Sequence, residues 1–102
     1  MDKQKIIELL GQEWEIEHGF LGKIRHREFD PEGLERLLNL LEIVQNDGEE
    51  LIDRNLISLI WFIPLFLEWQ KPSFVAAGKD IAPLQSAINK IMPIMYKILG
   101  LP

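Results

Sequence analysis

Apolar positions recur along this chain at three- and four-residue steps, which predicts helices. Ile6, Ile7, Leu10 and Trp14 form one stripe behind Asp2, a residue suited to cap the first turn. The stripe continues through Phe20, Leu21 and Ile24, with a bend or break expected at Gly19 and Gly22. Asp30-Pro31-Glu32 then marks a second start. The aspartate accepts from the free amides, proline at the first position loses no hydrogen bond, and the glutamate faces the positive end of the dipole. Leu34, Leu37, Leu38 and Leu41 form that helix's stripe, and Asn46-Asp47-Gly48 predicts its stop. A third helix is expected from Glu49 and Glu50 through Leu56 and Ile60. Beyond Leu59 it is apolar on nearly all sides, which suits a central or interfacial position. Pro64 predicts a kink or end there, with a short helix over Leu65 to Trp69 after it. Gln70 to Gly78 reads as a connection. Asp80 suits the cap of a last helix carrying Leu84, Ile88, Ile91, Met92 and Met95, with a kink or break at Pro93 and a stop at Gly100. An extended reading exists only for the apolar run from Leu56 to Leu67, and its flanks favour helix.

The expected fold is therefore all-α: a compact bundle of four to five helices, with kinks or breaks near Pro64 and Pro93, in one domain over residues 1–102. Composition supports folding, since 47 % of the residues are hydrophobic. The absence of cysteine excludes disulfides, thiolate metal sites and cysteine nucleophiles. The longest uncharged stretch, Asn55 to Leu67, would span about 20 Å as a helix, against roughly 30 Å for a bilayer core. No membrane association is expected. The N-terminus lacks the apolar run of a signal peptide, and a cytoplasmic location is the default expectation.

Charge changes the picture more than composition does. The chain carries a net −5, but residues 1–54 carry −7 and residues 55–102 carry +2. An acidic surface of this kind disfavours nucleic acid and suits a basic protein partner. Candidate chemistry is sparse. Glu15 and His18 stand as Glu-x-x-His, but a di-metal bundle needs a second such motif and further carboxylates, so no metal or other cofactor is expected. Ser58, Ser73 and Ser86 lie in no nucleophile turn, and threonine is absent. Gly19-x-x-Gly22 lacks the strand–turn–helix setting of a phosphate loop. Lys23, Arg25, His26 and Arg27 form a basic cluster flanked by Glu13, Glu15, Glu17, Glu28 and Asp30, so local ion pairing is its first reading. Glu68 follows a strongly apolar run and is the one acid that burial would single out.

The stretch Gly19-Phe20-Leu21-Gly22-Lys23-Ile24-Arg25, then Phe29-Asp30-Pro31-Glu32-Gly33 and a leucine-rich helix, resembles the small immunity proteins of bacterial polymorphic-toxin and contact-dependent inhibition systems. The resemblance lies mainly in residues 19–50. It implies a non-enzymatic inhibitor, held in the cytoplasm, that binds a cognate toxin domain and occludes it; basic nucleases are frequent targets of such proteins. The class has no fixed residue set, so binding residues are chosen on physical grounds: Glu13, Trp14, Glu17, Glu28, Asp47, Glu49 and Glu50, acids and one aromatic from the negative half. Two other readings stay open. One is a homo-oligomeric structural or regulatory module that self-associates through residues 56–69. The other is a small enzyme or ligand binder with a pocket near Glu68, Trp61 or Trp69.

Overall fold

The computed structural model describes residues 2–46 and 53–100, and among them every regular element is helical. Six segments follow in order: α1 (Lys3–Gln12), α2 (Phe20–Ile24), α3 (Pro31–Asn46), α4 (Arg54–Ile60), α5 (Ile63–Ala76) and α6 (Ala82–Leu99). The all-α architecture agrees with the apolar periodicity. The number of segments exceeds the expected four to five because the first stripe is split in two.

That split falls earlier than the glycines suggested. α1 starts under the Asp2 cap, whose carboxylate accepts from Lys5 N at 2.8 Å, and ends at Gln12. Residues 13–19 then cross over as turns before the single turn of α2. Gly11 lies within α1 with open space around it. α3 begins at Pro31 as its start signals require. Its predicted stop at Asp47-Gly48 lies outside the described residues, as does the predicted helix start at Glu49 and Glu50. The described part of the next helix begins only at Arg54, because Asp53 takes an extended backbone and its carboxylate caps Asn55 N at 2.7 Å.

The prolines behave differently from one another. Pro64 lies in the first turn of α5, where it has no intrahelical hydrogen bond to lose, and the break comes just before it at Trp61-Phe62. The expected connection over Gln70 to Gly78 is corrected: α5 runs through Pro72 to Ala76. Phe74, buried at 2 % exposure, anchors this last turn, and the Lys71–Glu68 ion pair at 2.8 Å braces it one turn earlier. The helix closes where Gly78 takes φ 75° and Lys79 N reaches back to Phe74 O at 2.8 Å, an arrangement that favours glycine. Pro93 also fails to end its helix. Pro93 and Asn89, the residue whose carbonyl loses its partner, both lie on the exposed side of α6. Asp80 accepts from Ala82 N at 3.0 Å, while Ile81 occupies the cap position itself. Gly100 ends α6 with φ 82°.

One contiguous core draws on all six helices. α3 and α5 pack on α6, α1 packs on α3 and α4, and α2 sits between α3 and α5. Phe20, Leu21 and Ile24 give α2 three fully buried side chains from five residues, so this short helix works as a plug. Among the described residues no helix is long and apolar enough to cross a membrane.

Lys23 and Asp30 bracket the turn between α2 and α3, with Nζ 3.0 Å from the carboxylate. That hydrogen bond lowers the Asp30 pKa; partial burial opposes it, and the Gly33 amide adds to the lowering. A carboxylate with a depressed folded pKa contributes stability that is present above its ordinary value of 3.8 and is lost as pH falls through the lower folded value. In thermal melts from pH 7 to pH 2, Asp30→Asn is therefore expected to melt below the wild type at neutral pH. The gap should close below pH 3.8. A gap that stayed constant across the series would contradict this role.

Candidate functional site

Two surface features compete for attention: a polar cleft where α1 ends, and an apolar groove between α5 and α6. Glu13, chosen from the sequence as a binding residue, lies at the first, and the two other readings, through residues 56–69 or a pocket near Glu68 and Trp61, fall on the second. Glu13 was expected on the surface, and this is corrected: Glu13 is 5 % exposed. Its Oε1 accepts from Phe20 N at 3.0 Å and from Arg36 Nη2 at 3.3 Å, and its Oε2 accepts from Arg36 Nε at 3.2 Å. Its backbone carbonyl also accepts from Leu21 N at 2.8 Å and Gly22 N at 3.2 Å. One residue thus caps the start of α2 twice over and ties it to α3. The Glu13 hydrogen bonds raise the Arg36 pKa against an opposing effect of burial, so the guanidinium stays charged. Arg36 Nη2 also donates to His18 O at 3.2 Å. Gln12, Glu15, His18 and Lys23 complete the lining of a cleft of about 580 Å³. Glu13 and Arg36 are committed to one another and Lys23 to Asp30, so these charges hold the crossover together.

The other sequence-selected residues separate. Trp14 is half-buried, and its indole Nε1 donates to Leu59 O at 2.9 Å. Its ring meets Phe66 edge-on at 5.1 Å and stacks with Phe62 at 6.3 Å. Arg25 lies over both the Trp14 and Phe66 rings, at 5.8 and 5.4 Å, which explains one member of the basic cluster as a cation–π brace. A second member, Lys23, is the partner of Asp30. Arg27 takes the left-handed φ of 62° that closes α2, with Arg27 N to Ile24 O at 2.9 Å and Glu28 N to Lys23 O at 3.1 Å. Glu17 and Glu28 are exposed. Asp47, Glu49 and Glu50 lie outside the described residues. Among the described residues no group of three or more His, Asp or Glu is placed to hold a metal ion. Glu15 and His18 are both exposed, and His18 Nε2 instead lies 3.8 Å from Glu17.

The second feature is an open groove of about 510 Å³ along α5 and α6. Trp61, Pro64 and Leu65 form one wall, Tyr96 and Leu99 the other, with Ile88, Met92 and Met95 between them. Glu68 stands at its edge and is paired with Lys71, so the space beside it is apolar and holds no isolated acid. On α5, Leu65 and Trp69 lie one turn apart, with Trp61 just before them at the end of α4; on α6, Met92, Tyr96 and Leu99 follow at four- and three-residue steps. Trp61 is 52 % exposed, Trp69 64 % and Tyr96 46 %. Both tryptophans lean on Phe62, with ring centroids 5.4 and 5.2 Å away, so they are held in place although exposed. Sequence reasoning placed Trp61 and Leu65 in the 56–69 run read as a self-association region but did not select Tyr96 and Leu99. A signal existed: α5 is apolar on more sides than one packed face requires, and α6 carries a second stripe beside its core stripe.

No protein-family model, curated protein or solved structure matches this chain. The geometry therefore stands by itself: a small all-α domain with an anchored aromatic ridge beside an apolar groove, and an acidic surface elsewhere.

Proposed function

We propose that this chain is a non-enzymatic, protein-binding inhibitor of the immunity type, which holds a cognate basic toxin domain by occluding it. The observation that carries the reading is the apolar groove between α5 and α6. Exposed large apolar side chains arranged continuously, with rigid aromatics among them, are the composition of binding hot spots. A groove between two helices suits an apolar helix edge of a partner protein. The acids of the first half, Glu17 and Glu28 among them, supply a negative field that speeds the approach of a basic domain. The groove then slows its release. The same reading places the chain in the cytoplasm of the cell that makes the toxin.

The test is binding kinetics between this chain and any toxin domain encoded beside it. Leu65→Glu puts a charge into the groove and is expected to raise Kd by about 100-fold, mostly through faster release. Charge reversal at both Glu17 and Glu28 is expected to slow association by about 3- to 10-fold at low salt, with the difference fading as salt is added. Equal affinity for the wild type and Leu65→Glu would remove the groove from the mechanism. No binding to that domain would remove the inhibitor reading.

A further inference from the structure

We infer that the α5–α6 face also binds a second copy of this chain, the ridge of each protomer entering the groove of the other about a two-fold axis. This rests on the reading of the groove as the binding face; it adds the occupant that fills it when no toxin is present.

Self-complementarity is the first argument. The ridge is itself one wall of the groove: Trp61 and Leu65 line it, Trp69 stands exposed one turn beyond Leu65, and Met92 and Met95 line the space beside them. A two-fold axis places the same patch on both sides of an interface, so a ridge beside a groove of matching direction can satisfy itself twice. Area is the second. The exposed fractions of Trp61, Trp69, Tyr96, Leu65 and Leu99 leave on the order of 500 Å² of apolar side-chain surface per protomer. Two such patches reach roughly 1,000 Å², the lower bound of a specific interface, before any polar rim is counted. Charge is the third. Residues 55–102 hold only two acids, Glu68 and Asp80, and Glu68 is already paired with Lys71 within the protomer. Two chains of net charge −5 therefore meet with least repulsion on this face. An interface of this size and character predicts a reversible dimer with Kd on the order of 10 µM, displaced by a tighter partner.

Sedimentation equilibrium from about 1 to 200 µM, a range that brackets such a Kd, tests this. The weight-average mass is expected to rise from 11.9 kDa toward twice that value, and the toxin domain is expected to return the complex to one copy of each chain. Leu65→Glu and, separately, Tyr96→Arg should stay at 11.9 kDa throughout while keeping wild-type helical circular dichroism, since both side chains are exposed. A wild type that remains monomeric over the whole range overturns the dimer, as does a dimer that survives both substitutions. The two readings fail separately. A monomer that still captures the toxin domain through Leu65 overturns the dimer alone, and a dimer that captures no toxin overturns the inhibitor reading alone.

Discussion

Replacing Gly22 with alanine is expected to cost about 3–5 kcal/mol of folding stability. A Cβ at this position would lie 1.8 Å from Glu15 O, 2.3 Å from Glu15 C and 2.8 Å from Ile16 N. All three are backbone atoms, so no rotamer change relieves the contact. The crossover between α1 and α2 would have to lift away, and α2 would carry Phe20, Leu21 and Ile24 with it. In a domain of this size each kcal/mol shifts Tm by roughly 4–8 °C, so Tm should fall by more than about 10 °C. Gly11→Ala is the control. Nothing lies within 4 Å of its added Cβ and it sits inside α1, so it should raise stability by about 0.5–1 kcal/mol. A Gly22→Ala protein that melted with the wild type would show that the crossover does not pack as described.

The second large effect is expected at Glu13. Glu13→Ala leaves the Phe20 amide buried without its acceptor and frees Arg36 from α2, at a cost of about 2–4 kcal/mol. The figure is set below that of a fully buried pair because the Arg36 side chain is 49 % exposed and recovers water when released. Glu13→Gln keeps an oxygen for the Phe20 amide and should lose less. Arg36→Ala combined with Glu13→Ala should lose less than the two single variants added together, with a coupling of about 1–2 kcal/mol in urea unfolding. Strict additivity would mean that the two side chains do not act on one another. On the proposed inhibitor function, buried Glu13 is expected to bear on binding through folding: a binding defect in Glu13→Ala should track the fraction unfolded, whereas one in the Glu17 and Glu28 double reversal should arise in a fully folded protein.

These two expectations show where sequence reasoning reached and where it stopped. Gly19-x-x-Gly22 was visible as a place where the chain must bend, because glycine is the residue tolerated at close backbone approach. Which backbone approaches it was not visible, since Glu15 and Ile16 reach Gly22 only after the crossover folds back. Glu13 looked like its neighbours Glu15 and Glu17 in a run of alternating acids. Its burial is set by Arg36, twenty-three residues away, and no local pattern encodes that pairing. The prolines repeat the lesson. Their effect depends on whether a helix is held on both sides of them by packing, as α5 is by Phe74 and α6 by Met95.

The candidate site was half legible. The run from Leu59 to Leu67 was read as too apolar for one buried face, and the structure leaves Trp61 and Leu65 exposed there. Tyr96 and Leu99 of the opposing wall stand over thirty residues on from Leu65, near the end of the next helix, and the groove exists only because α5 and α6 pack together.

By itself the sequence determined the all-α character, the cap at Asp2, the start of α3 at Pro31 and the stripes that fill the core. Each of these depends on residues within a few positions of one another, where periodicity and capping act directly. Tertiary structure alone decided that Glu13 holds α2 to α3, that α5 and α6 pass through Pro72 and Pro93, and that two apolar stripes meet to form a groove. In each case the deciding contact joins distant segments, and its free energy appears only when the core that brings them together has formed.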